Sequence, residues 1–280
     1  MQSYVAAMQH MLESLGLVEK HLLSPTLLSD TWEKTKEILL SERDDEQKDP
    51  RALSNALAHF HRYGQDSRFR KRPSDADLNA STPQNLGTLI TDLLAVNRTI
   101  LYFGPRSMEE IEKTILEGFV GQKPTKDTPP ISPNRSFQAS RNQVYFLQKE
   151  MAQAQVRLEF AVGTYDEEMT PLAQLYNEYF GGGMAGLVFQ ELREARALAY
   201  SAWAHFFTPS RPSEENVLVG AIGCQADKTI DAVNAFMELL DNMPINQTRW
   251  ESAHSSILST YRTNPSKSRS IPGFVFDYNA

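Results

Sequence analysis

Cysteine is nearly missing: Cys224 is the only one in 280 residues, so no disulfide can form within the chain. That suits the cytosol without excluding the periplasm. Positive charge is also in short supply. The chain has 28 Lys and Arg against 35 Asp and Glu, a formal net charge of −7, which argues against general nucleic-acid binding because that depends on clustered cations. No apolar run reaches the roughly 18 residues a membrane-spanning helix requires. Met1-Gln2-Ser3-Tyr4 opens straight into a helical pattern, without the basic stretch and apolar run of a signal peptide. The expectation is a chain that is not exported, or one that starts downstream of its own N-terminus. The remainder is 41% hydrophobic and 22% charged, ordinary soluble material with enough length for one large or two medium domains.

The first hundred residues read as helices. Tyr4, Met8, Met11, Leu12 and Leu15 give one apolar face at helical period. Trp32 to Leu40 is a second helix, followed by the charge run Glu42 to Asp49, which reads as a solvated loop. Asp49 as cap and Pro50 at the first helical position open another, with Leu53, Ala56, Leu57 and Phe60 as its face. Thr82-Pro83 starts a fourth, burying Leu86, Leu89, Ile90, Leu93 and Leu94. Thr99 to Phe103 is a short β-rich run stopped by Gly104-Pro105. Four helices and one strand read as the back end of an α/β domain whose other strands lie upstream.

Ser107 and Glu110 form a capping box for a helix over Ile111 and Ile115, closed near Gly118. Between Gly121 and Arg135 stand Pro124, Pro129, Pro130 and Pro133, a density that marks an extended linker. This predicts a first, mostly helical part over 1–105, a helix and linker over 106–140, and a second domain over 141–280. In that domain Val144–Leu147, Val156–Phe160, Tyr200–Phe207 and Val217–Cys224 read as strands. Helices follow over Leu172 to Tyr179, Ala185 to Leu198, Ile230 to Leu240 and Trp250 to Tyr261. The order suggests an α+β fold of two layers, helices on one face of a mostly antiparallel sheet.

The most informative segment is Tyr179-Phe180-Gly181-Gly182-Gly183-Met184, continuing through Leu192-Arg193-Glu194 to Leu198-Ala199-Tyr200. Three glycines end one helix and let the chain turn, since glycine tolerates positive φ. They also leave backbone N–H groups uncovered where the next helix begins, a place that favours anions or carbonyl oxygens. Arg193 and Tyr200 are seven apart, about 700° of rotation, so a continuous helix would put them on one face. Together they could bind a peptide carbonyl or a developing oxyanion. The plainer alternatives stand beside this: a glycine run is commonly just a turn, and such an Arg–Tyr spacing is commonly surface packing.

As a whole string, this segment resembles the pitrilysin (insulysin) family of zinc metallopeptidases, which includes the mitochondrial processing peptidases. That family carries a helix of the form L-R-E-x-x-x-L-A-Y in each half, after a glycine-containing turn. Tyr63-Gly64 with Ser67, Ile100 to Pro105 and Gln225-Ala226-Asp227-Lys228 look like bacterial multidomain members, so the resemblance runs from about position 50 to the end. It implies two-layer α+β domains, four of them in two halves that close around a peptide. This chain would supply the end of the third domain and most of the fourth, with truncation after Phe276 to Ala280. It implies that Arg193, Tyr200, Gly181, Gly182 and Gly183 contact a peptide or unfolded protein substrate. The partner would be the N-terminal catalytic half of the same protein. A non-catalytic subunit or scaffold with the same fold is the alternative.

The family's zinc site is an H-x-x-E-H helix plus a distant glutamate. His10, His21, His59, His61, His205 and His254 include no pair four residues apart. After His10 and Glu13, Ser14 stands where the second ligand belongs, and His59 and His61 point to different sides of a helix. His254, on the face of Trp250 and Leu258, reads as a core histidine. Arg68, Arg70, Lys71 and Arg72 form a basic cluster that reads as a solvated loop, flanked by Asp66, Asp75 and Asp77. Cys224, ending a strand, reads as a small buried hydrophobe. The resemblance therefore implies no cofactor in this chain, zinc lying in the absent half, and no catalysis by this chain alone. Metal analysis after dialysis should find no stoichiometric zinc; one tightly held zinc per chain would contradict this reading.

Overall fold

A computed structural model describes residues 13–14, 16–18, 20–97, 99–117, 125–127, 142–209 and 214–279, with 114–117 and 277–279 described as backbone only. The helical face Tyr4 to Leu15 and most of the proline-dense segment Gly121 to Arg135 lie outside these residues, as does Ala280. In chain order the elements are α1 (Ser29–Glu46), α2 (Pro50–Tyr63), α3 (Arg68–Lys71), α4 (Asp75–Ala80), α5 (Pro83–Leu94) and α6 (Met108–Glu117). They continue with β1 (Ala154–Thr164), α7 (Met169–Tyr176), α8 (Leu187–Phe189), β2 (Ser201–Phe207) and β3 (Glu215–Cys224). The last three are α9 (Thr229–Asp241), α10 (Gln247–Thr263) and α11 (Ile271–Asn279). No helix among the described residues is long and apolar enough to cross a membrane.

The helix starts follow from their caps. Asp49 accepts from the Arg51 N–H at 2.8 Å with Pro50 in the first turn, Thr82 and Asn85 cap each other before Pro83, and Ser107 and Glu110 do the same for α6. Other expectations are corrected. The charge run is helical as far as Glu46, and just past the helix end Lys48 pairs back to Asp44 at 2.8 Å. Thr99–Phe103 and Val144–Leu147 are not strands; neither run has a ladder partner among the described residues, and β propensity alone does not hold a strand. Leu89 and Leu93 are 58% and 72% exposed rather than buried.

Backbone contacts divide the chain into two units, Met1–Arg43 with Pro73–Ile131, and Asp44–Arg72 with Ser132–Ala280. Residues 44–72 thus go with the second unit, not with the first part as the sequence suggested. In the first unit the Trp32 indole donates to the Ser81 carbonyl at 3.1 Å. Arg43 pairs with Asp75 and donates to Pro73 O, and Ile111 and Leu78 are buried.

The second unit is built on an antiparallel sheet of order β1-β3-β2. Side chains alternate between faces. Val156, Leu158 and Phe160 of β1, Ala202 and Ala204 of β2, and Ile222 and Cys224 of β3 point to one side, which α8, α9 and the turns around α7 cover to form the core. At its centre the Phe236 ring sits over Gly220; a Cβ there would lie 2.2 Å from Phe236 Cζ. The other face carries Arg157, Glu159, Trp203 and Val219. Here α2 packs on β1, with Arg62 3.0 Å from Glu159 and Asn55 accepting from Arg157. This pairing explains why residues 44–72 travel with the sheet. β3, covered on both sides, is buried almost throughout. Gly220→Ala should destabilise the chain by about 1–3 kcal/mol, read as a lower midpoint in urea; an unchanged midpoint would mean that Phe236 is free to yield.

Candidate functional site

The glycine run is placed by the edge of β2. Helix α7 continues into a wider, π-type turn over Asn177–Gly181. Tyr179 and Phe180 are buried there, and Phe180 stacks on Tyr176 at 5.0 Å and meets Phe236 edge-on at 6.2 Å. The Tyr179 hydroxyl donates to Pro244 O at 2.6 Å and accepts from the Asn246 N–H at 2.9 Å, tying the turn to the loop before α10. Asn177 then acts on β2 as a neighbouring strand would. Its Oδ1 accepts from the Phe206 N–H at 2.6 Å and its Nδ2 donates to the Phe206 carbonyl at 2.9 Å. Gly181 lies against the Ala204 carbonyl so closely that a Cβ would stand 1.8 Å from the oxygen. A Cβ on Gly182 would meet Glu178 O at 2.3 Å, and Gly183 has φ +58°, in the left-handed region that favours glycine.

Below the run opens a cleft of about 560 Å³, lined by Gly181, Gly182 and Gly183, Gln174 of α7, Glu178 of the π-type turn, His205 to Phe207 at the end of β2 with Thr208 just after it, and Ile257, Thr260 and Tyr261 of α10. Glu178 Oε1 accepts from Ser256 Oγ at 2.8 Å, and its second oxygen has no partner among the described residues. The Tyr261 hydroxyl donates to Gln174. The His205 and Phe207 rings lie 4.4 Å apart, tilted at 57°, and His205 Nε2 is 3.4 Å from Asn177 Nδ2. Partial burial holds this imidazole below its ordinary pKa, so the neutral ring can accept from the Asn177 amide.

Arg193 and Tyr200 do not line the cleft. The helix that bears Arg193 stops at Ala195, Ala197 takes φ +48°, and the Leu198 N–H returns to Leu192 O at 2.9 Å. The seven-residue spacing therefore spans a helix end, and the helical rotation between the two residues does not apply. Arg193 lies half-exposed, its guanidinium 4.8 Å from the Phe189 ring and 3.6 Å from Glu194. Tyr200, 52% exposed, is fixed at the mouth of β2 by its N–H bond to Gly223 O at 2.7 Å. The helix N-terminus is partly used as well: the Gly186 N–H donates to Gly182 O at 3.0 Å.

Sequence reasoning missed Asn177, Glu178 and Tyr261, because nothing in their local pattern marks which strand or helix they will meet. His254 is exposed on α10, where Ala253 is the buried residue, so it is not a core histidine. The basic cluster from Arg68 forms the short helix α3 rather than a loop. Cys224 is fully buried. The zinc site that the resemblance implies for the whole enzyme does not fit these residues. His59 engages Ser67 Oγ at 3.1 Å and His205 engages Asn177. Among the described residues no three His, Cys, Asp or Glu side chains stand together as a metal-binding group.

The fold is that of peptidase domains. It matches the crystal structure of a peptidase M16 inactive domain from Pseudomonas fluorescens with a TM-score of 0.64 at 17% identity, over 93% of this chain and 62% of that one. A protease from Helicobacter pylori matches with 0.67 at 15% identity, over 95% and 65%. A mutant of the ferredoxin protease FusC in complex with Arabidopsis ferredoxin matches with 0.62 at 11% identity, over 95% and 32%. The chain thus spans less than two thirds of each. No curated protein matches by sequence. A family profile described as the peptidase M16 inactive domain matches residues 95–256, more than half of the chain. The chain belongs to that family.

Asn177→Ala should lower stability by about 1–3 kcal/mol, since it strips the partners from the N–H and carbonyl of Phe206. Thermal unfolding checks this, and an unchanged midpoint would show that water serves Phe206 equally well.

Proposed function

We propose that this chain is part of the C-terminal, non-catalytic half of a pitrilysin-type zinc metalloendopeptidase. In this reading it helps to wall a chamber that holds a peptide or unfolded protein, and the zinc chemistry belongs to an N-terminal half outside this sequence. The observation that carries it is the match to the inactive domain over residues 95–256. The FusC relative, captured with a protein bound, supports a polypeptide as substrate. The exposure of Arg193 and Tyr200 after the glycine turn supports these two as the contacts, with the backbone of Gly181 to Gly183 beside them. Neither group attacks the substrate; a guanidinium and a phenol supply donors for a peptide carbonyl.

The test is Arg193→Ala with Tyr200→Phe in the complete enzyme. Each lost hydrogen bond should cost about 1.5–3 kcal/mol, or about 10- to 100-fold in turnover, in kcat as well as kcat/KM. The melting temperature should hold, because both side chains are exposed. Full turnover with a lower melting temperature would show that they only hold the fold together. A full-length protein with no H-x-x-E-H would instead indicate a non-catalytic subunit.

A further inference from the structure

We propose that the cleft below the glycine run is a subsite for a cationic side chain, arginine or lysine, of a bound polypeptide. The inference rests on the peptide-binding reading above for the polypeptide, and on the cleft alone for the charge. Among the described residues that line it, Glu178 carries the only fixed charge. One of its carboxylate oxygens is occupied by Ser256 and the other has no partner among the described residues. That second oxygen is therefore open to a cation that enters the cleft. By contrast Glu159, on the other face of the sheet, lies within ion-pair distance of both Arg62 and Arg157.

The walls suit the same ligand. The Tyr261 and Phe207 rings both border the cleft and are about half-exposed, and aromatic faces attract guanidinium and ammonium groups. His205, the one titratable base in the lining, is held toward its neutral form by burial, so it offers no competing positive charge near neutral pH. The three glycines contribute backbone without side chains, which leaves room for the aliphatic stem. A volume of about 560 Å³ exceeds one side chain and leaves space for adjoining main chain.

The experiment uses the full chain and two capped pentapeptides, one with a central arginine and one with citrulline, its neutral near-isostere. Calorimetry should show the arginine peptide binding about tenfold or more tightly than the citrulline peptide. Glu178→Gln, which keeps an acceptor for Ser256, should bring the arginine peptide down to the citrulline level. Ser256→Ala should leave the preference intact. Equal binding of the two peptides, or a preference that survives Glu178→Gln, overturns the cationic subsite and leaves the peptide-binding reading standing. Failure of both peptides to bind also overturns it; binding of an unfolded probe, reduced and carboxymethylated lactalbumin, then decides the broader reading separately. Should Glu178→Gln not fold, amide shifts in the unaltered chain decide the matter. Changes at Thr208 and Tyr261 with the arginine peptide alone support the subsite, and their absence overturns it.

Discussion

The contact between Gly181 and the Ala204 carbonyl constrains everything around the site. An outer strand of a sheet exposes unpaired N–H and C=O groups, and these must be covered or hydrated. Here the cover is not another strand but the end of a helix. Asn177 supplies one amide to Phe206, and two residues earlier in β2 the backbone of Gly181 lies where any side chain would collide with Ala204 O. The widened turn over Asn177–Gly181 brings both residues to the strand. Close docking then requires the chain to turn at once, which Gly183 does with positive φ. The cleft is the space left between this turn, the end of β2 and α10.

A second consequence concerns polarity. The two faces of the sheet are differently solved. One face is apolar and is sealed by Phe236 and the aromatic stack of Tyr176 and Phe180. The other meets α2 through charge: Arg157 lies 5.7 Å from the Trp203 ring and shares Glu159 with Arg62. Burial lowers the Arg157 pKa while Glu159 opposes that shift. Such a half-buried network contributes little net stability, but it is costly to break on one side only. It therefore specifies which helix covers that face more than it strengthens the fold.

The parts legible in the sequence were those whose determinants are local. Caps at Asp49, Thr82 and Ser107 operate within three residues of chain, and each starts the helix it announced. β1, β2 and β3 also carry their own alternation or apolar density. Thr99–Phe103 and Val144–Leu147 have the same β-rich composition and fail as strands, because a strand is completed by a partner that composition does not name. The exposed Leu89 and Leu93 show the converse limit: an apolar stripe says that a helix has a face, not that something covers it. The site was legible only as a backbone feature. Three glycines announced close approach, while the identity of the approached strand, and hence Asn177 and Glu178, depended on contacts about 30 and 80 residues apart in the chain.

The helix end between Arg193 and Tyr200 changes what these two residues can do together. On a continuous helix their separation would be fixed by the helix rise, and they would move as one rigid body. In this structure Arg193 rides on the last helical turn, whereas Tyr200 is anchored to the sheet through Gly223. Ala197, a non-glycine residue at φ +48°, is the joint between them. Holding alanine there costs about 1 kcal/mol relative to glycine. The Leu198 bond to Leu192 and the ion pair of Arg196 with Glu238 at 2.8 Å offset that cost. The relative placement of guanidinium and phenol is thus set by the packing of helix on sheet. Changes in the core below them, at Leu192 or Phe236, would alter that placement without touching either side chain.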